Sequence, residues 1–249
     1  MKLYIIIAPR RSGHHAVINW LDSILPEKGV IINDTDWQAN KPFMIPQINE
    51  DRTEYEYWDH EVKPQKTSVE DNSYILYNIE ERPLEDIVAH LKGNEEQSFW
   101  GKENITIIIN QRSFLNFVAS KINHTFEKNP YNFINGIKRW NEYTKELLNE
   151  TSLLENFKYT TILFDKWFSS IDYRKKLCKT FNGKIKNEEI NKVSEHGRGS
   201  TFDGQDKDGK GQEMKVLERY KLLAPDFLEK FENSSYNSDS KKLFKDANN

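Results

Sequence analysis

The sequence predicts an α/β protein built on a parallel β-sheet. Short apolar runs rich in isoleucine, at residues 3–8 and 105–109, are typical of strands that are buried on both faces. Segments with apolar residues at three- and four-residue spacing follow these runs, and this is the period of an amphipathic helix. Because strands that alternate with helices favour a parallel sheet with helices on both faces, we expect a three-layer α/β fold.

The predicted elements alternate along the chain in the order that such a fold requires. The predicted strands are residues 3–8, 30–32, 74–77, 105–109 and 159–164. The predicted helices are residues 14–25, 83–91, 113–123, 132–149, 166–181, 187–194 and 213–230. Pro26 stops the first helix, and Pro83 suits the first turn of the second. We therefore predict one domain over residues 1–232.

Three segments fall outside this alternation. Residues 33–72 are polar, rich in aromatic residues and poorly periodic, and a loop of this length inside a compact domain is usually functional or mobile. Residues 196–212 hold five glycines among several charges, which predicts a flexible loop. Residues 233–249 are rich in Ser, Asn and Lys, so we expect a frayed tail.

Composition excludes several classes of protein. The 249 residues carry 36 Lys and Arg against 39 Asp and Glu, a net charge of -3, whereas a nucleic-acid-binding protein normally has a basic excess. The apolar run at residues 3–8 is far shorter than the roughly 20 residues that span a bilayer. A single cysteine, Cys178, permits neither an intrachain disulfide nor a thiolate-rich metal site. We expect a soluble, cytoplasmic protein that binds no nucleic acid, and oligomeric state leaves no mark in the sequence.

A tight basic turn, P-R-R-S-G-H-H at residues 9–15, joins the first strand to the first helix. Free backbone N–H groups and the helix dipole attract anions to a helix start. Gly13 lets the backbone approach a ligand closely, and the guanidinium of Arg11 can bind two phosphate or sulfonate oxygens. Ser12, His14 and His15 add further donors. The turn therefore predicts an anion site, with an ordinary strand-to-helix turn as the alternative.

This turn lacks the pattern of a nucleoside-triphosphate P-loop, G-x-x-x-x-G-K-[ST]. The first glycine is missing and no Lys-Ser/Thr pair follows Gly13, so the usual Mg²⁺ ligand is absent from the sequence. We expect phosphate binding without an obligatory metal. His14 and His15 are adjacent on a predicted helix and point about 100° apart, so we predict no metal site at this pair.

A second candidate phosphate segment follows the strand at residues 105–109. Arg112 lies at the end of this strand, and Ser120 lies eight residues later, two turns into the next helix. The two side chains can converge on one phosphate at the edge of the sheet. The alternative is a solvated arginine and a helix serine that faces a neighbouring element.

The two segments resemble the nucleotide-binding motifs of sulfotransferases that use 3′-phosphoadenosine 5′-phosphosulfate (PAPS). Residues 11–13 match the loop of that family for the 5′-phosphosulfate, roughly Pro-x-(Lys/Arg)-Ser-Gly-Thr-Thr, with His14 and His15 in place of the two threonines. Ala16 stands where many members have an aromatic residue against adenine. Arg112 and Ser120 have the spacing of the 3′-phosphate segment.

A later glycine-rich stretch is similar to the Arg-Lys-Gly segment that closes over the same nucleotide. Here Gly199 follows Arg198 directly and precedes Ser200, so the lysine is missing. The resemblance covers the first 25 residues, residues 105–123 and residues 197–202. It implies a sulfotransferase fold like that of the P-loop NTPases.

The resemblance also implies a reaction: in-line transfer of a sulfuryl group from PAPS to a hydroxyl or amine, which leaves adenosine 3′,5′-bisphosphate (PAP). Arg11 would stabilise the charge on the leaving phosphate, helped by the amides of Gly13, His14 and His15. No metal is required. The acceptor is a small molecule, glycan, lipid or peptide, because one such fold serves many acceptors.

An acceptor hydroxyl also needs a general base. Relatives use a histidine or glutamate near the end of the third strand, so we expect Glu80 in this role, with Glu81 as the alternate. His60 and His124 are further possible bases, and Asp165 can orient active-site groups. Glu80 could instead complement the dipole of the following helix.

The acceptor would enter from the segment at residues 33–72. Its aromatic residues could line an acceptor pocket or pack the segment onto the core; they include Trp37, Tyr55, Tyr57 and Trp58. Two other functions stay open. One is a nucleotide kinase or NTPase with a degenerate loop, and the other is a non-catalytic module that binds a nucleotide.

Overall fold

The structure confirms an α/β fold with a parallel sheet. The structure, a computed structural model, describes residues 1–34, 47–48, 54–58, 64–68, 73–93, 101–123, 130–185, 188–193, 200, 202–204 and 206–246. The strands are β1 (Lys2–Ala8), β2 (Gly29–Asp34), β3 (Gln47–Ile48), β4 (Glu54–Trp58), β5 (Pro64–Ser68), β6 (Tyr74–Glu80), β7 (Ile105–Gln111) and β8 (Tyr159–Leu163). The helices are α1 (His14–Ile24), α2 (Leu84–Gly93), α3 (Phe114–Lys121), α4 (Pro130–Leu147), α5 (Phe164–Ser169), α6 (Ile171–Thr180), α7 (Pro225–Glu232) and α8 (Ser235–Asp246).

The chain divides into two compact units. The first, the sheet unit, comprises Met1–Ala8, Glu27–Ile109 and Ser152–Thr161. The second, the helix unit, comprises Pro9–Pro26, Asn110–Thr151 and Ile162–Asn249. All helices named above except α2 belong to the helix unit.

The sheet unit is organised around β1, the central strand of five parallel strands in the order β2-β6-β1-β7-β8. The isoleucine-rich runs are buried as predicted, because both faces of a parallel sheet are normally covered. Residue for residue, Ala8 at the end of β1 pairs with Glu80 at the end of β6. The register therefore places Glu80 at the carboxyl edge of the sheet.

Part of the segment at residues 33–72 forms a second sheet, so its interpretation as a loop was wrong for these residues. Strands β3, β4 and β5 pair in antiparallel fashion, with Tyr55 opposite Thr67. The sequence of β4, E-Y-E-Y-W, alternates charged and aromatic residues with the two-residue period of a strand. Trp37 lies outside the described residues.

Three predicted helices have different boundaries. The helix predicted at 166–181 is broken at Ser170, whose Oγ accepts from the Tyr173 N–H at 3.2 Å and begins α6. The region predicted as a helix at 213–230 holds 3₁₀ turns at Gly211–Glu213 and Arg219–Leu222, and α7 begins only at Pro225. The first position of a helix suits proline, because the N–H that proline lacks would have no partner within the helix. The helix predicted at 187–194 is a single 3₁₀ turn, Glu188–Asn191.

The tail predicted to fray forms α8 instead. Residues 235–246 are helical, and Asn237, Ser240 and Leu243 are buried. The Ser240 Oγ accepts a hydrogen bond from the Phe114 N–H at 3.0 Å, and the Tyr236 ring lies 5.3 Å from the Phe114 ring. Two of the three buried residues are polar, so apolar periodicity could not predict their burial. Residues 247–249 lie outside the described residues.

Aromatic residues of α3 and α4 form one hydrophobic core cluster of the helix unit. Phe114, Phe117 and Trp140 are fully buried and pack together. Gln111 at the end of β7 links this strand to α4 by two hydrogen bonds. Its Nε2 donates to the Trp140 carbonyl at 2.8 Å and to the Thr144 Oγ1 at 2.6 Å. Among the helices of the described ranges, none is long and apolar enough to cross a membrane.

Candidate functional site

The turn that precedes α1 is strained. Arg11 has a φ of 76° and Gly13 has a φ of 83°, both in the left-handed region. The Ser12 N–H closes the turn by donating to the Pro9 carbonyl at 3.1 Å, and the Ala16 N–H donates to the Gly13 carbonyl at 3.1 Å. A left-handed conformation costs a residue with a Cβ about 1–2 kcal/mol, and such strain clusters at functional sites.

Gly13 is required here by the neighbouring aromatic ring as well as by its backbone angle. A Cβ at this position would clash with the Phe164 ring. The Phe164 ring thus fills the space beside the Gly13 Cα. The sequence suggested instead that glycine leaves this space for the close approach of an anion. The Gly13 N–H meets no hydrogen-bond acceptor within the described part of the chain. The backbone amide of Gly13, at the start of an 11-residue helix, is therefore available to an anion.

Ser12 accepts hydrogen bonds from Asn110, a residue to which the sequence analysis gave no role. Asn110 Nδ2 donates to the Ser12 Oγ at 3.0 Å and to the Ser12 carbonyl at 3.3 Å, and both residues are fully buried. The Ser12 Oγ also lies 3.4 Å from His14 Nδ1. The only signal in the sequence was a polar residue directly after the run of three isoleucines in this strand.

The two histidines of the turn lie side by side. His14 is buried, His15 is half-buried, and their ring centroids are 4.2 Å apart with the planes tilted by 42°. We expected His14 and His15 to point apart because they are adjacent on the helix, but their rings lie close together. Ala16, the third residue of α1, is half-buried.

The structure brings the predicted pair Arg112 and Ser120 into contact. Arg112 Nη1 donates to the Ser120 Oγ at 2.9 Å and to the Arg11 carbonyl at 3.4 Å. Arg112 Nη2 donates to the Val216 carbonyl at 2.6 Å. One guanidinium thus joins both nucleotide-binding segments that the sequence indicated, and a third segment, around Val216, covers it.

The charge of Arg112 is deeply buried. The side chain is 1% exposed, and no carboxylate of the described ranges lies within 4.0 Å of it. The guanidinium lies over the Phe164 ring at 5.1 Å from its centroid. Burial and, to a smaller extent, the nearby cation Arg219 lower the pKa of Arg112 to about 9, and Asp165 opposes the shift. Arg112 is still a cation at neutral pH, and an anion beside it would offset the desolvation.

Arg219 is another buried arginine, and the sequence did not indicate it. Arg219 Nη2 donates to the Ser200 Oγ at 2.6 Å and to Asp203 Oδ2 at 3.2 Å, and the guanidinium lies 4.7 Å from the Phe202 ring centroid. Burial lowers the pKa of Arg219, and Asp203 opposes this shift. Ser200, expected to contact the nucleotide, thus forms part of a turn that Arg219 holds. Arg198 and Gly199 lie outside the described residues.

Asp165 caps the start of α3. Its Oδ2 accepts from the Ser113 N–H at 2.8 Å, and its Oδ1 accepts from the Ser113 hydroxyl at 2.6 Å and from Asn116 Nδ2 at 3.1 Å. The sequence suggested that Asp165 orients active-site groups. In the structure it fixes the residue that follows Arg112.

Two of the candidate bases, Glu80 and Glu81, lie in the sheet unit. Glu80 is the last residue of β6 and is buried, and its Oε1 accepts from Asn78 Nδ2 at 3.5 Å. Glu81 is also buried, with a φ of 56°, and its N–H donates to the Ala8 carbonyl at 3.1 Å. Glu85 and Asp86 provide the acidic residues in the first turn of α2, so the dipole of that helix does not require Glu80. His60 and His124 lie outside the described residues.

No protein-family model matches the chain, and no curated protein matches it. A functional assignment therefore depends on the residues of the turn before α1 and on the buried arginine that joins it to α3. These residues form a cationic site with a free backbone amide, which is suited to a phosphate or sulfate group.

Proposed function

We propose that this protein is a sulfotransferase that moves a sulfuryl group from PAPS to a hydroxyl or amine of an acceptor. One observation carries the proposal: Arg112 Nη1 contacts both Ser120 and the carbonyl of Arg11. Two segments about 100 residues apart, each resembling one half of a PAPS site, meet at this guanidinium.

In this proposal the two ends of the nucleotide bind to different groups. The Gly13 N–H and the Arg11 guanidinium would bind the 5′-phosphosulfate, and Arg112 with Ser120 would bind the 3′-phosphate. A phosphate on Arg112 would take the place of the Val216 carbonyl, which is a weaker, uncharged acceptor. Donors aimed at the developing charge of the leaving phosphate are typically worth about 10²–10³ in rate each.

The transfer step is a displacement at sulfur. The acceptor hydroxyl gives its proton to Glu80, its oxygen forms a bond to sulfur, and the bond from sulfur to the 5′-phosphate oxygen breaks. The electron pair of that bond stays on PAP, where Arg11 and the Gly13 amide stabilise it. The position of Glu80 at the end of β6 supports its role as the base, because ligands of parallel sheets bind at the carboxyl ends of the strands.

Isothermal titration with PAP tests the nucleotide site. We expect the parent protein to bind PAP in the presence of a chelator, Arg112→Ala to bind about 100-fold more weakly, and Ser120→Ala about tenfold more weakly, because charged hydrogen bonds contribute about 1.5–3 kcal/mol. Arg139→Ala is the matched control, since Arg139 pairs with Glu142 on α4. It should bind PAP within about twofold of the parent.

Absence of PAP binding by the parent would refute the proposal. Binding of ATP that depends on Mg²⁺, in place of PAP, would favour the kinase or NTPase alternative. A folded Ser120→Ala variant that binds PAP like the parent would remove the 3′-phosphate site even if Arg112→Ala does not fold.

Glu80→Gln tests the chemistry separately from binding. With PAPS and a panel of phenols, sugars and peptides, we expect Glu80→Gln to lower the transfer rate by about 10²–10⁴, the usual contribution of a general base. Its affinity for PAP should equal that of the parent, and Glu81→Gln should retain transfer. A parent that binds PAP and sulfates no acceptor of the panel, whatever residue occupies position 80, would favour the non-catalytic module.

A further inference from the structure

Asn110 is a buried polar residue to which neither the sequence pattern nor the proposed chemistry assigns a role. It lies in β7 after an apolar run and is 0% exposed. A buried amide is costly unless it is hydrogen-bonded, and Asn110 Nδ2 donates to two atoms of one residue, the Oγ and the carbonyl of Ser12. Within the described part of the chain, both hydrogen bonds that the Asn110 side chain donates thus go to the turn before α1.

The bond to the Ser12 carbonyl fixes the direction of the next amide. The Ser12–Gly13 peptide is planar and trans, so its C=O and N–H point in opposite directions. Because Asn110 holds this carbonyl, the Gly13 N–H must point away from Asn110. This is the N–H for which the described residues provide no acceptor.

The bond to the Ser12 Oγ fixes the role of the hydroxyl. An Nδ2–H group can only donate, so the Ser12 oxygen is the acceptor in this contact. The hydrogen of the Ser12 hydroxyl is then left for another acceptor. Its present neighbour on that side is His14 Nδ1, at 3.4 Å.

We propose that Asn110 is a positioning residue that turns the Gly13 N–H toward the bound anion by holding the Ser12 carbonyl. The inference depends on the proposed function only for the identity of the anion, PAP. Asn110 would contact no ligand itself, and its effect would pass through the Ser12–Gly13 peptide.

Gln111 provides a matched control for the test. It is the next residue of the chain, is equally buried, and also donates twice through its amide, but to Trp140 and Thr144 of α4. We expect Asn110→Ala and Gln111→Ala to lower the urea midpoint to a similar extent. Only Asn110→Ala should weaken PAP binding, by about tenfold in isothermal titration, while Gln111→Ala stays within about twofold of the parent.

The amide resonance of Gly13 gives a readout that needs no ligand. In ¹H–¹⁵N spectra of the unliganded protein, Asn110→Ala should shift the Gly13 amide, and Gln111→Ala should leave it in place. Asn110→Asp removes the donor at the same size and should reproduce both effects, which covers an Asn110→Ala variant that does not fold. A parent that does not bind PAP, with the amide shift present, would refute the proposed function and leave this inference standing.

Equal PAP affinity in the parent and in both Asn110 variants would overturn the inference. So would an unshifted Gly13 amide in folded Asn110→Asp. An equal loss of affinity in Gln111→Ala would also overturn it, because the effect would then come from general loosening of β7.

Discussion

The turns before α3 and before α1 differ in whether the first backbone amides of the helix have hydrogen-bond acceptors. Before α3, the protein itself occupies the first amides: the Ser113 N–H donates to Asp165, and the Phe114 N–H donates to Ser240. Before α1, Gly13 caps the helix without a side-chain hydrogen bond, and its own N–H has no acceptor in the described part of the chain.

The two helix starts therefore differ in how the partial positive charge of the helix dipole is matched. At α3 the partial positive charge is matched by a carboxylate of the protein, so this helix start is structural. At α1 no acidic residue lies in the first turn, so no carboxylate of that turn matches the partial positive charge. The segment before α3 contributes the Arg112 side chain to the candidate site, whereas the segment before α1 contributes a backbone amide.

Among the substitutions that test this difference between α3 and α1, replacing Asp165 should change the stability most. Asp165→Ala removes three charge-assisted hydrogen bonds and leaves the Ser113 N–H without its acceptor, so we expect the free energy of unfolding to fall by about 3 kcal/mol. Urea denaturation measures this loss. In the variant the start of α3 becomes open, so added sulfate should stabilise Asp165→Ala more than the parent.

Asp165→Asn is the matched control because it keeps one acceptor oxygen and the shape of the side chain. It should retain about half of the stability that Asp165→Ala loses. An Asp165→Ala variant as stable as the parent, with no added response to sulfate, would show that the two helix starts do not differ as described.

Regular apolar patterns made much of the fold predictable from the sequence. The isoleucine runs of β1 and β7 and the spaced apolar residues of α1 and α4 each carry their own period. The helix α8 was missed because its packing uses Asn237 and Ser240, which a hydrophobic pattern does not register.

The candidate site was predictable only where its residues are local in the chain. The eight-residue spacing places Arg112 just after β7 and Ser120 two turns into α3, and the structure brings the two side chains together. The contacts of Arg112 with Val216 and of Asn110 with Ser12 join residues about 100 positions apart. No local pattern encodes such pairs, because they depend on how distant segments fold together.

Arg11 tests the strain of the turn before α1, and here the expected effect is the smallest. Both Arg11→Gly and Arg11→Ala delete the side chain, but only glycine adopts a φ of 76° without a steric cost. Relief of that cost, less the extra entropy of glycine in the unfolded chain, should make Arg11→Gly more stable than Arg11→Ala by about 1 kcal/mol in urea denaturation. Both variants should lose PAP affinity to the same degree, since both lack the guanidinium. Equal stability of the two variants would mean that the turn relaxes on losing Arg11, and the contrast with the unstrained start of α3 would then rest on hydrogen bonding alone.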